Sequence, residues 1–278
     1  MKRLLSIELQ KLWSNRASKV LIISYFVLLS FIALIASIEF NLGGTPFRIA
    51  DQGIFNFPFI WHFNTYVAAI LKLFLAVVIV SMMANEYTYG TLKQNLIDGL
   101  SKKEFVMSKF LTVILFALAS TIFIFFLSLI LGYSFSSYTE LSIVFTDIDY
   151  LLAYFVKLMG FFSFCLFLGI LVKRSAFALG FLVLWNFLEW IFYGVMKWKL
   201  FKDTEIAENI TRFFPLESMS ALIFNPGRRM SVIKNVELQA GIVNQNSYSV
   251  DYFQLFIVLI WTFVFIYFSY KLLKKRDL

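Results

Sequence analysis

Six stretches of apolar residues dominate the chain, near Val20–Ile38, Tyr66–Met83, Phe110–Leu131, Leu151–Val172, Ala176–Met196 and Phe253–Leu273. A helix needs about 20 residues, at a rise of roughly 1.5 Å each, to cross about 30 Å of hydrocarbon, and each stretch is near that length. The pattern predicts an all-α, polytopic membrane protein with six transmembrane helices in a single domain over residues 1–278. Only Lys173, Arg174 and Ser175 separate the fourth stretch from the fifth, so those two spans form a tight helical hairpin.

Two other regions carry helical patterns. Residues 1–19, MKRLLSIELQKLWSNRASK, set Leu4, Leu5, Ile7, Leu12 and Trp13 against Lys2, Arg3, Glu8, Lys11 and Arg16. That is the pattern of an amphipathic helix lying in a membrane interface, the plainer alternative being a basic flank that only fixes topology. Residues 197–251 form the long extracytoplasmic segment before span six, where Ile206, Ile210, Phe213 and Phe214 recur at helical spacing. Pro215 opens a second apolar stretch there, closed by Asn225, Pro226 and Gly227, so two short outer helices are expected.

The polar segment between spans two and three, residues 85–110, reads NEYTYGTLKQNLIDGLSKKEFVMSKF. Thr91 with Gln94, and Ser101 with Glu104, each have the form of a capping box. Gly99 stands where a left-handed residue ends a helix. The string therefore encodes a helix of two turns, a sharp stop, and the capped start of span three. Leu92, Leu96 and Leu100 share one side of the short helix, with Lys93, Gln94, Asn95 and Asp98 elsewhere. An isolated helix needs about 12–15 residues to persist in water, so this one must lean on membrane, bundle or partner.

Composition sharpens the picture. The chain is 60% hydrophobic and 15% charged, against about 25% charged in soluble domains. Its net charge of +8 does not point to nucleic acid, because the basic residues collect at span ends, where anionic lipids attract them. Lys2, Arg3, Lys11, Arg16 and Lys19 precede span one; Lys93, Lys102, Lys103 and Lys109 lie between spans two and three; Lys173 and Arg174 follow span four; and Lys271, Lys274, Lys275 and Arg276 end the chain. Positive-inside topology puts these segments and both termini in the cytoplasm. Residues 39–65 hold only Arg48, and the loop after span three holds Glu140, Asp147 and Asp149, as expected of the outer side. A cleavable signal peptide is not expected. Cys165, the only cysteine, excludes an intramolecular disulfide and metal clusters built on several cysteines.

Glu86, Gly90-Thr91-Leu92, Leu96, Gly99, Ser101-Lys102, Phe105 and Lys109 resemble the pattern E-x3-G-T-L…L…S-[RK]…K found between the second and third spans of ABC-2 type transporter permeases. The likeness in architecture covers the whole chain, and the likeness in sequence is strongest over residues 86–109. Lys102 stands where Arg is more usual, which keeps the charge and loses the planar fork. The resemblance implies a coupling helix that fits a groove on an ATPase subunit, with Leu92 and Leu96 as its docking side and Gly99 as hinge. Ser101 and Glu104 would be the cap that joins hinge to span, and Glu86 would brace the joint or meet a basic residue of the partner. It implies further a permease of an exporter in the bacterial plasma membrane, working with two copies of a separate ABC ATPase and a second permease chain, identical or paralogous. The chain itself would bind no cofactor, ATP and Mg being held by the partner; fittingly, it has no G-x-x-x-x-G-K-[ST] loop.

Three ionisable residues fall inside spans, Lys72, Lys157 and Glu189, where such groups are costly and usually face the bundle interior. Lys157 and Glu189 lie at similar depth across the hairpin, with Asn186 one turn from Glu189. They are expected either to pair or to line a polar path. His62, the only histidine, sits beside Trp61 at the outer edge of span two and is expected to be an interfacial residue rather than a base or ligand. The competing functions are a channel, a scaffold and an intramembrane enzyme. A single His, a single Cys and no H-E-x-x-H argue against the last, and no metal site is expected.

Overall fold

The computed structural model describes residues 2–32, 34, 38–42, 45–48, 53–200, 204–229 and 248–276. Two helices open the chain, α1 (Lys2–Ser14) and α2 (Arg16–Ser30), joined at Asn15, whose side chain caps α2 by accepting from the Ser18 amide at 3.1 Å. A short antiparallel hairpin follows, β1 (Glu39–Leu42) with β2 (Thr45–Arg48). Then come α3 (Phe59–Thr88), α4 (Thr91–Ile97), α5 (Lys102–Phe135), α6 (Leu141–Val144), α7 (Asp149–Val172) and α8 (Ser175–Val195), which runs into a π turn at Met196–Leu200. Two short helices, α9 (Thr204–Thr211) and α10 (Pro215–Ser220), a 3-10 turn (Pro226–Arg229) and α11 (Tyr252–Lys275) complete it.

Among the described residues, five helical stretches are long and apolar enough to cross a membrane: α3, α5, Leu141–Val172, Ser175–Leu200 and α11. They extend beyond the apolar runs because hydropathy marks only the part that suits oil, while the helix continues into its polar flanks. Thus α3 begins at Phe59 rather than Tyr66, and α5 starts eight residues before Phe110, at its Ser101 cap. The first predicted span appears as α2, 15 residues starting at Arg16 rather than Val20. Residues 33 and 35–37 of that prediction lie outside the described residues. The expected hairpin is present: Lys173, at φ +64, reverses the chain between α7 and α8.

The bundle is built around α7, which packs on α3, α5, α8 and α11 and is buried along most of its length. In contrast, α8 stands at the periphery, with only Ala178 and Leu182 fully buried. Polar contacts hold the apolar core in register. Tyr25 of α2, Ser120 of α5 and Tyr154 of α7 form a closed ring of hydroxyls, with Tyr25 to Tyr154 at 2.8 Å and Ser120 to Tyr154 at 2.9 Å. All three side chains are fully buried, where each hydroxyl needs a partner to offset its loss of water. Asn64 of α3 donates to Ser128 of α5 at 2.8 Å in the same way.

Candidate functional site

One end of the bundle gathers the described parts of both chain ends and the short helix α4. Gly90, at φ +67, turns the chain out of α3, and Gly99, at φ +97, turns it out of α4. Both conformations cost a residue with a Cβ roughly 1–2 kcal/mol. After Gly99 the Leu100 amide donates back to the Asn95 carbonyl at 3.0 Å, closing the helix in a Schellman-like turn. The Ser101 capping box is formed as the sequence predicts: the Glu104 amide donates to Ser101 Oγ at 3.2 Å, and the Ser101 amide to Glu104 Oε2 at 3.0 Å. The Thr91–Gln94 box is not formed. Gly90 takes the N-cap position, and the Thr91 hydroxyl donates instead to Glu86 Oε2 at 2.6 Å.

Glu86 belongs to a buried ionic clasp. Lys109 Nζ, fully buried at the start of α5, lies 2.6 Å from Glu86 Oε1 and 2.6 Å from Glu8 Oε2 of α1. Lys11 Nζ of α1 reaches the same Glu86 oxygen at 3.0 Å. Two carboxylates and two ammonium groups balance, and the Thr91 hydroxyl adds a further donor. Burying one such charge alone is prohibitive, so the clasp fixes α1, α3, α5 and the entry to α4 relative to one another. Glu86 therefore braces the joint within its own chain. The helix that carries Glu8 faces inward with Glu8 and Leu12, while Ile7 and Trp13 are exposed. The expected division of α1 into a charged and an apolar side is thus crossed by Glu8.

A second tie runs through the next residue of α3. Tyr87 accepts from Arg276 Nη1 at 3.1 Å, and Arg276 also donates to the last carbonyls of α7, through Nη1 to Ile170 O and through Nη2 to Leu171 O at 2.9 Å. Lys102 Nζ in turn donates to the Arg276 carbonyl at 2.9 Å. Lys102 serves here as a point donor to a backbone oxygen, a task that needs no guanidinium fork.

Between these ties, α4 is oriented opposite to the expectation for its leucines. Leu92 is buried and Leu96 is packed against the core, so both face the bundle rather than a partner. The outward side carries Lys93, Gln94 and Ile97, the last 75% exposed, and Tyr89, 73% exposed, stands in the turn just before the helix.

At the opposite end of the bundle Lys157 and Glu189 do not pair. Lys157 is buried and donates to the Ser220 carbonyl at 3.4 Å. Glu189 accepts from Trp185 Nε1 at 2.6 Å, from the Leu216 amide at 3.1 Å and from the Glu217 amide at 2.9 Å. It thereby caps α10, whose own N-cap residue Phe214 supplies no side-chain bond and whose first residue, Pro215, has no N–H to satisfy. Lys72 lies over the Phe161 ring, 4.5 Å from its centroid. Asn186 is exposed and borders a hollow of about 480 Å³ with Glu189, Glu208 and Glu217.

His62 is not interfacial but fully buried beneath the segment before α11. Its Nε2 lies 2.8 Å from the Phe224 carbonyl and its Nδ1 3.3 Å from Arg229 Nη1, while the ring stacks on Tyr150 at 4.3 Å. Arg229 also pairs with Asp147 at 2.9 Å. The residues that sequence reasoning missed are Glu8 and Lys11, Tyr87, Arg276 and Arg229. The only sequence signal for the first two was an acidic residue inside an otherwise basic amphipathic helix.

Among the described residues, five long apolar helices, one of them buried at the centre of the other four, with charges gathered and paired at the helix ends, define a polytopic helical protein embedded in a membrane. The chain belongs to the family described as protein of unknown function (DUF2705), whose model matches residues 21–278. No curated protein matches the chain.

Proposed function

We propose that this protein is the permease subunit of an ATP-binding cassette exporter, and that α4 is the helix through which a separate ATPase drives it. The observation that carries the reading is the outward side of α4 and the turn leading into it, where Ile97 and Tyr89 stand exposed while Leu92, on the other side of the helix, is fixed to the bundle. Large apolar groups displayed on a short helix outside the apolar core fit a partner's groove. The resemblance of residues 86–109 to the coupling segment of ABC-2 permeases supports the same reading.

In this proposal the end that bears both termini is cytoplasmic, α2 is a sixth span in a bacterial plasma membrane, and two ATPase subunits serve a pair of permease chains. The ring of Tyr25, Ser120 and Tyr154 supports α2 as a span, since it ties that helix into the apolar core. ATP-driven closure of the ATPase pushes on Tyr89, Lys93 and Ile97. The clasp at Glu86 and Lys109 then delivers the movement to α3 and α5 together. Gly99 and the Ser101 cap let α4 swing without unwinding α5.

The test is co-purification in detergent with candidate ABC ATPases co-expressed with the protein, using two substitutions on opposite sides of α4. Ile97→Asp is expected to leave the permease folded and reduce ATPase capture about tenfold or more, the loss of one interface anchor. Leu92→Asp is expected to lower the yield of folded protein instead, by burying a charge. Undiminished capture by folded Ile97→Asp would refute the docking reading.

A further inference from the structure

The clasp joins α4 to a helix that has its own outward surface. On α1 Glu8 and Leu12 are buried and Lys11 reaches the clasp, and a neighbouring stripe, Leu5, Leu9 and Trp13, is spaced four residues apart along one flank. Leu9 and Trp13 are exposed, and Lys19 Nζ stands over the Trp13 ring, 4.9 Å from its centroid. Arg3 near the start of α1 and Arg16 at the start of α2 are exposed. An indole beside a lysine on an apolar stripe, with arginines at either end, complements an anionic lipid surface. The stripe is continuous with α2, which Asn15 caps one residue after α1 ends. The same helix that carries this exposed apolar flank holds, through Glu8, the lysine on which α4 is braced.

We propose that the anionic surface of the inner leaflet is a regulatory partner of this protein: seating of α1 on acidic lipid is passed through Glu8, Lys109 and Glu86 to residues 89–101 and sets how firmly α4 is held. Acidic lipid draws Arg3, Arg16 and Lys19 to the bilayer and fixes α1 in the interfacial plane. With α1 fixed, Glu8 holds Lys109 in place, and Lys109 holds Glu86 against Thr91. On neutral lipid α1 loses that electrostatic attraction, Glu8 shares its movement, and the entry to α4 loosens. The inference rests on the proposed orientation but not on the identity of the ATPase, because it concerns protection of α4 by lipid alone.

The experiment is hydrogen–deuterium exchange on the full chain in nanodiscs of phosphatidylcholine, with and without phosphatidylglycerol, and no ATPase present. Each basic residue near an acidic surface is worth about fivefold in binding. Amides of residues 89–101 in the wild type are therefore expected to exchange at least about fivefold more slowly with phosphatidylglycerol. Raised salt should erase the difference, since it screens the surface charge.

Glu8→Gln should leave the lipid-dependent protection of α1 intact and abolish that of 89–101. The double substitution Arg3→Gln with Arg16→Gln, which leaves the core untouched, should diminish both. Equal exchange of 89–101 in the two lipids for the wild type would overturn the proposal, as would persistence of the lipid effect in Glu8→Gln. ATPase capture is unaffected by either of those results, so failure here is separable from failure of the docking reading.

Discussion

Two glutamates in long apolar helices, Glu86 near the end of α3 and Glu189 in α8, meet the same physical problem in different ways. Glu86 is buried and held by ammonium groups of α1 and α5, residues 75 and 23 positions away in sequence. Glu189 is held by an indole of its own helix and by backbone amides at the start of α10. A carboxylate matched by charges from separate helices makes those helices one mechanical unit, because separating any of them exposes an uncompensated ion to an apolar interior. A carboxylate matched by backbone amides only fastens one short segment. The end of the bundle with α4 is thus tied into one body, and the far end holds α10 in place.

Breaking the clasp should have the largest effect. Lys109→Met leaves Glu8 and Glu86 with Lys11 as their one cation, and a stability loss of about 3–5 kcal/mol is expected. It would be read from SDS-induced unfolding in mixed micelles, together with faster exchange throughout α1 and α4. Glu189→Gln keeps the shape of the cap and loses its charge, so a loss of about 1–2 kcal/mol is expected. Its exchange signature should be confined to residues 213–221 and leave α4 unchanged; spread to α4 would erase the distinction between the two ends. Gly99→Ala meets no atom within 4 Å but must adopt a left-handed backbone, for about 1 kcal/mol in the same unfolding assay. Smallest in stability is Ile97→Asp, within about 0.5 kcal/mol of wild type, because the side chain touches little of its own chain.

Much of this was readable from local pattern. The long apolar runs located five of the helices, Ser101 with Glu104 located the start of α5, Gly99 the end of α4, and Pro215 the first residue of α10. What local pattern could not supply was the identity of the surface each side meets. Leu92 and Leu96 announce that one side of α4 is covered, yet an apolar stripe reads the same whether a bundle or a partner covers it. Glu8 and Lys109 lie 101 positions apart, beyond any helical period. Thr91 fits a capping box in sequence, but Glu86 one turn earlier offers a stronger, charged acceptor. Pairing of Lys157 with Glu189, one of the alternatives open from sequence, rests on depth alone, which does not register the amides of α10 that reach the carboxylate. His62 was assigned to the interface because nothing near it in sequence foretold the Pro226–Arg229 turn that covers it.

The orientation of α4 is the point on which the proposed mechanism turns, and it can be read by placing a photoreactive phenylalanine analogue at position 97 or at position 96 in cells that co-express an ABC ATPase with which the protein co-purifies. The account predicts an ATPase crosslink from position 97, and from position 96 only crosslinks within the permease. Crosslinking to the ATPase from position 96 but not 97, or from neither while the complex still co-purifies, would contradict it.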